Sequence, residues 1–197
     1  TIELGHARVL KDLSAPEESP IFYMPNLVVL HPDKPNKFRI CQDAAARVKG
    51  CSLNDFLLDG PDVMNKLCGV LLRFRRKRIV ITADIRNFFY QVRIDPKDRA
   101  AFRYLWWPNK EMRMDQIQVN EPRDYIFGAT CSPAICNVSV QFHATKMRME
   151  KRISQEIFLG LMLATYMDDL LDNVANVKQG LRYKLEMDSC MREGGFE

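Results

Sequence analysis

The run of apolar and polar stretches along these 197 residues predicts an α+β fold. Three observations carry that prediction. Short β-branched runs bounded by Pro, Asp and Gly read as strands. Longer runs with apolar residues at helical spacing read as helices. The two kinds follow one another without regular βαβ alternation, which argues against a doubly wound parallel sheet.

Residues 1–20 are polar, with Pro16 and Pro20, and read as a loosely held lead-in. Residues 21–31 (IFYMPNLVVLH) are apolar and β-branched, broken at Pro25, and predict one or two edge strands. HPDKPNK is a turn by composition, and FRICQD beyond it is the returning strand of a hairpin. SLNDFLL follows a loop at Gly50, and Gly60-Pro61 punctuate again. From Asp62, a candidate N-cap, to about Arg76, apolar residues fall at helical spacing. RIVITAD reads as a buried strand ending in an acid, and residues 85–91 (IRNFFYQ) as a short helix. A second hairpin is expected within 92–127, with FRYLWW and YIF as strand residues. Ser132 is a candidate N-cap for a long helix to about Ile153. LGLMLATYMDDLLDNV reads as strand, tight turn, strand. The stretch from about Asn176 to Arg192 is helical in pattern and stops at Gly194-Gly195.

Composition bounds the function. With 47% hydrophobic and 27% charged residues the chain can bury one sizeable core or two small lobes. A net charge of +4 is compatible with a polyanionic partner without proving one. Six cysteines stand without a CxxC pair or zinc spacing, so they read as reduced thiols of an intracellular protein, most of them buried. No terminal stretch has the length of a membrane span or the form of a signal peptide. The first residue, Thr1, points to a fragment or a piece of a polyprotein.

The strongest chemical signal is Tyr166-Met167-Asp168-Asp169 between apolar flanks. Adjacent ionised carboxylates repel and are costly to desolvate. Taken alone, such a pair fits an ordinary turn or helix cap equally well. Asp84, at the end of IVITA, repeats the logic, although alone it fits a helix N-cap too. An antiparallel pair of strands would bring Asp84 beside the turn, and three carboxylates there would suit two Mg²⁺ or Mn²⁺ ions about 4 Å apart, the arrangement of in-line nucleotidyl transfer.

The ordered blocks KFRICQDAAARVKGCSLNDFLLDGP, VITADIRNFFYQV, FGATCSPAICN and YMDD resemble the reverse transcriptases of LTR retrotransposons, most closely the BEL/Pao group. The resemblance covers roughly residues 21–197, and the SLND-x-LL-x-GP block is what points to BEL/Pao. It implies a right-hand polymerase palm, an antiparallel sheet backed by helices, with β-rich fingers. On that reading residues 21–83 are mostly fingers, and 84–197 are palm with a fingers return within 92–127. Thumb and RNase H lie outside the residues given. The implied reaction is RNA-directed DNA synthesis from a primer 3′ end. Asp84, Asp168 and Asp169 would be catalytic metal ligands, and Ile85 would add a backbone carbonyl. Phe89 would be the steric gate against a 2′-hydroxyl, with Asn87 and Phe88 lining the sugar and triphosphate pocket. Arg39 would be the fingers arginine over the incoming base. Phe127, Gly128 and the Ser132-Pro133 turn would form the nucleotide and template face, and Tyr166 and Met167 would lie near the primer terminus. The implied partners are an RNA or DNA template with primer, deoxynucleoside triphosphates and the rest of a Pol polyprotein, in cytoplasmic virus-like particles and without a membrane.

The chain also departs from the pattern. Phe127 stands where retroviral relatives usually carry Gln, and Asn87 where many carry a charged residue. Lys34 and Lys37 are both candidates for the fingers lysine. The basic run Arg73, Arg75, Arg76, Lys77 and Arg78 reads first as a solvated helix end and second as a phosphate track. The basic helix end at Lys146, Arg148, Lys151 and Arg152 reads the same way. Trp106 and Trp107 read as packing residues, and His6, His31 and His143 as ordinary residues without metal spacing. Three competing readings stay open. One is a catalytically silent retroelement fragment that only binds nucleic acid or protein. Another is a palm polymerase of a different class, against which the bulk of Phe89 argues. The third is an unrelated α+β domain.

Overall fold

A computed structural model describes residues 2, 4–14, 19–31, 34–108 and 113–197, with side chains at 31 and 34–39 excluded. The fold is α+β. The chain divides into two compact units, residues 1–59 with 92–132, and residues 60–91 with 133–197. Residues 60–83 therefore cluster with the second unit, and 92–132 with the first.

The first unit carries a four-stranded sheet in the order β1-β7-β6-β2, made of β1 (Ala7–Val9), β2 (Tyr23–Met24), β6 (Arg103–Trp106) and β7 (Gln118–Pro122). The lead-in is thus held to this sheet over residues 7–10. Its Ala7 pairs with Pro122, the Leu10 N–H donates to the Val119 carbonyl at 2.9 Å, and Arg8 meets the buried Glu121. The partner of β6 is QVNEP rather than the expected YIF, with Tyr104 opposite Asn120. YIF is left with a single bridge nearby, Arg93 to Asp124. A two-stranded antiparallel hairpin joins β3 (Asn26–His31) to β4 (Lys34–Gln42), as the sequence predicts. Strand β4 starts at Lys34, so most of the expected turn is strand. Pro35 is tolerated because both strands of a two-stranded sheet have a free edge.

The second unit is a three-stranded antiparallel sheet, β5 (Ile79–Asp84), β9 (Asp169–Val174) and β8 (Thr165–Tyr166), in the order β5-β9-β8. Helices α1 (Leu67–Phe74), α3 (Gln155–Leu163) and α4 (Val177–Glu193) pack against it. Helix α2 (Ser132–Met149) completes the set. Val70, Ile157, Leu161, Leu170, Val174 and Tyr183 are among the core side chains of this unit. Strand β5 is more exposed than its apolar sequence predicts, because it is an edge strand and β9 is the central one.

Helix expectations change at residues 62–66, 132–153 and 159–163. Asp62 is not an N-cap, since α1 begins at Leu67 behind Lys66. Residues 61–66 are drawn out of helical form by tertiary hydrogen bonds: Asn65 donates to the Met162 and Thr165 carbonyls, and Gln141 to the Val63 carbonyl. The expected long helix to Ile153 ends at Met149. Ser132 is its first residue rather than its cap. LGLML is helix, not strand: Ser154 caps α3 by accepting the Ile157 N–H at 3.3 Å, and the unbranched Leu and Met residues favour helix. A short apolar run does not distinguish a buried strand from a buried helix. Helix α4 begins and ends where the sequence predicts, with Asn176 accepting the Gln179 N–H at 2.9 Å and Gly195 at φ 80°.

Candidate active site

The second unit brings the three aspartates to one end of its sheet. Asp84 is the last residue of β5 and pairs directly with Asp169, the first of β9. The next link runs past the ladder: the Ile85 N–H donates to the Asp168 carbonyl at 2.9 Å. Tyr166 pairs with Asp169, which leaves Met167 and Asp168 as a two-residue hairpin loop. Met167 has φ 57°, and of the two loop residues it alone has a positive φ. That is the pattern of a II′ turn, where glycine is favoured at the first position. A methionine held there costs roughly 1 kcal/mol or more.

The segment after Asp84 is also bent. Asn87 adopts φ 51°, a conformation Asn tolerates better than most residues. Its carbonyl accepts the Tyr90 N–H at 2.8 Å, and Gln91 Nε2 donates to the Arg86 carbonyl at 2.8 Å. The resulting 3-10 turn, Phe88–Gln91, replaces the short helix expected there. Phe88 and Phe89 are both buried, with ring centroids 5.8 Å apart.

The electrostatics at the aspartates are unfavourable as they stand. Asp169 is solvent-exposed, yet partial loss of hydration and the neighbouring charges of Asp168 and Asp84 hold its carboxyl above the ordinary aspartate range. Among the described residues no cationic side chain pairs with any of the three. As they stand, no group of three or more His, Cys, Asp or Glu side chains among those residues could hold a metal ion. The donor set nevertheless fits a hard divalent cation: it offers only carboxylate oxygens, on facing strand ends, with repulsion that a cation would relieve.

The remaining candidates belong to the first unit, apart from Pro133, which opens the second stretch of the other. Arg39 lies on β4 opposite Val29. Its side chain, like those of Lys34, Lys37 and His31, falls outside the described residues. Phe127 is half-buried. Gly128 adopts φ 103°, and a Cβ there would lie 2.4 Å from the Gln42 carbonyl oxygen, so both conformation and space demand glycine. Ser132 turns inward, its buried hydroxyl donating to the Ile126 carbonyl at 2.8 Å, so the side chain is an internal strut.

Asn54, inside the SLND block, was not singled out by sequence reasoning. Its Nδ2 donates to the Gly128 carbonyl at 3.0 Å and its Oδ1 accepts the Thr130 N–H at 3.1 Å, fixing the loop that presents Phe127 and Gly128. The signal available was an amide side chain just after a turn. Its partner loop, more than 70 residues away, was not readable from sequence.

Other expectations resolve simply. Arg73 donates to the Leu163 carbonyl, while Arg75, Arg76, Lys77 and Arg78 are exposed. Arg152 pairs with Glu193. Trp106 and Trp107 are half-buried. His6 pairs with Asp124, and His143 Nε2 lies 2.7 Å from the Cys190 carbonyl oxygen. All six cysteines are free, but Cys51 and Cys68 are exposed, so fewer are buried than expected. Among the described residues no helix is long and apolar enough to cross a membrane.

Comparison with known proteins decides the family. The model of the reverse transcriptase (RNA-dependent DNA polymerase) family matches residues 36–197, well over half of the chain. The chain belongs to that family. Among solved structures, the foamy viral protease-reverse transcriptase dRH in complex with double-stranded DNA is 17% identical, with a TM-score of 0.68, covering 99% of this chain and 28% of that one. The native prototype foamy virus protease-reverse transcriptase is 17% identical with a TM-score of 0.63, covering 99% and 21%. The foamy viral enzyme in complex with an RNA/DNA hybrid is 17% identical with a TM-score of 0.64, with the same coverage. At that identity the likeness carries the reverse transcriptase fold. The chain spans about a fifth to a third of the length of these structures. No curated protein matches it by sequence.

Proposed function

We propose that this chain is the nucleotidyl-transfer portion of an RNA-directed DNA polymerase, adding deoxynucleotides to a primer 3′ end. The observation that carries the reading is the strand register that sets Asp84 opposite Asp169, with Asp168 on the adjoining turn, in a chain of the reverse transcriptase family.

On this reading Asp84, Asp168 and Asp169, with the Ile85 carbonyl, hold two Mg²⁺ or Mn²⁺ ions, which when bound activate the primer hydroxyl and neutralise the triphosphate. The protein's own contribution is positioning and charge. The β5–β9 ladder fixes the spacing of two carboxylates, and the strained Met167 turn projects the third. Tyr166 and Met167 border the primer terminus. Phe89 sets a floor beneath the sugar that excludes a 2′-hydroxyl by bulk, and Asn87 and Phe88 complete that pocket. Arg39 is the fingers arginine over the incoming base, and Phe127, Gly128 and the Ser132-Pro133 turn belong to the nucleotide and template face of the palm. The first unit corresponds largely to fingers and the second to palm.

The template is RNA or DNA, in keeping with the foamy viral structures solved with double-stranded DNA and with an RNA/DNA hybrid. The SLND-x-LL-x-GP block favours a BEL/Pao-type element. The working context is then a Pol polyprotein in cytoplasmic virus-like particles.

The test is extension of an oligo(dT) primer on poly(A) with Mg²⁺ or Mn²⁺, comparing the chain with Asp168→Asn. Extension lost in the variant supports the reading. Extension unaffected by it assigns the synthesis to another site. No extension, even with downstream thumb residues restored, favours the silent fragment.

A further inference from the structure

Three residues away from Asp169 on the same strand stands a second acid, Asp172, that the reaction does not use. Asp172 pairs with Ile81, deep in the ladder rather than at its end. A carboxylate in such a place is costly unless its oxygens are satisfied. Both are. Oδ1 accepts the Asn173 N–H at 2.7 Å, and Oδ2 accepts the Tyr183 hydroxyl of α4 at 2.8 Å. Tyr183 is 1% exposed, so its hydroxyl lies in the interior. Burial, and then the Asp172 charge, push the phenol far above its ordinary range and keep it a neutral donor.

The surroundings are cut to fit this pair. Gly160 lies inside α3, where glycine costs about 1 kcal/mol relative to alanine. Its φ is not positive, so conformation does not require it. Space does: a Cβ there would meet the Tyr183 hydroxyl at 2.0 Å and Asp172 Oδ2 at 3.1 Å. Gly180 on α4 brings that helix close to the same strand, 3.3 Å from Val174 Cγ2 by the same measure. The next residue of β9 is held as well. Asn173 Nδ2 donates to the Arg73 carbonyl at 2.6 Å, and the Arg73 guanidinium donates to the Leu163 carbonyl at 2.6 Å. Asp172 and Asn173, adjacent on a strand, point to opposite faces of the sheet. Strand β9 is therefore clamped on both faces about 10 Å along from Asp169.

We propose that the Asp172–Tyr183 hydrogen bond, admitted by Gly160, is a positioning device that fixes the placement of β9, and with it Asp168 and Asp169, for divalent-cation binding. Neither residue touches the reacting atoms. The pair acts through the strand. This inference rests on the metal-binding reading of the three aspartates.

The experiment is a Mn²⁺ titration of the whole chain followed by the electron paramagnetic resonance signal of free Mn²⁺, with a melting curve for each variant. Tyr183→Phe keeps the ring and removes the donor. It weakens Mn²⁺ binding about threefold to tenfold, the worth of one buried hydrogen bond. Asp172→Asn retains an acceptor for Tyr183 and stays within about twofold of the unmodified chain on the same scale. A Tyr183→Phe chain that melts lower but binds Mn²⁺ as tightly as the unmodified protein overturns the proposal, because a merely structural bond would behave so. Weakening by Asp172→Asn alone, with Tyr183→Phe unaffected, also overturns it, since charge and not the bond would then matter. An unmodified chain whose Mn²⁺ binding is indifferent to Asp84→Asn and Asp168→Asn instead removes the reading beneath it.

Discussion

Two groups of acids in this molecule are treated in opposite ways. In the first unit, buried Glu121 accepts from Arg8 and from the equally buried Arg103, and buried Asp124 meets His6 and Arg93. Arg103 itself has further acceptors in the Leu13 and Ser14 carbonyls. In the second unit, Asp84, Asp168 and Asp169 stand together at a sheet end with only repulsion between them and no cationic partner among the described residues. Charge that holds a fold together is compensated within the fold. Charge left uncompensated, on facing strand ends and beside a strained turn, marks the place where the proposed divalent cations would bind.

The largest effect expected from breaking the compensated group is at Glu121. Glu121→Ala leaves Arg103 buried without its carboxylate and lowers stability by about 3–5 kcal/mol, read from urea denaturation. An effect under about 1 kcal/mol would mean that the network is not what ties β1 to β7.

Much of the uncompensated group was legible in the sequence, because Asp84 and Tyr166-Met167-Asp168-Asp169 are local patterns whose chemistry needs no partner. The strand character of β5 and β9 and the cap and end of α4 are legible for the same reason, since apolar runs and capping are short-range, whereas the pairing of β5 with β9 follows only from the acids at their ends. The compensated group was not. Arg8 stands 113 residues from Glu121, and nothing local marks either it or Arg103 as a neighbour of that acid. LGLML was misread for a related reason, since its apolar run fits a buried strand or a buried helix until Ser154 and the packing around α3 decide. Asp62 looked like a cap, but Asn65 and Gln141 hold the segment in another shape. Asn54, Asp172 and Tyr183 gain their roles only through partners that tertiary structure supplies.

A second prediction concerns the loop carrying Phe127. Gly128→Ala meets both a positive φ and a backbone oxygen at 2.4 Å, and destabilises by roughly 1–3 kcal/mol in the same denaturation experiment. A neutral outcome would show that Asn54 does not fix the loop in this form.

Smaller, and opposite in sign, is the effect of relieving the repulsion. Because the Asp169 carboxyl is raised, the folded chain holds that proton more tightly than the unfolded chain. The cost to stability is absent below the unfolded value near 3.8 and grows as pH rises through the folded one. Without divalent cations at pH 7, Asp169→Asn therefore melts higher than the unmodified chain, by a small margin because the group is exposed to solvent. The difference closes below about pH 4. Saturating Mn²⁺ reverses the order, since only the unmodified site gains by binding. A variant that melts lower at pH 7 without metal would mean that the carboxylate is already compensated.

The smallest effect is chemical and costs no stability. Iodoacetamide at pH 8 labels exposed Cys51 and Cys68 first, and spares Cys190, whose thiol burial and nearby Glu193 and Glu186 push up to about 11. Mass spectrometry of the labelled peptides reads the order. Early labelling at Cys190 would contradict the packing of α4.

On the proposed reading the uncompensated carboxylates hold divalent cations. Its most direct test is a crystal of the chain soaked in Mn²⁺ and examined at the manganese absorption edge. Anomalous density beside Asp84, Asp168 and Asp169, lost in Asp168→Asn, is the expected result. Density elsewhere, or none at saturating Mn²⁺, would contradict it.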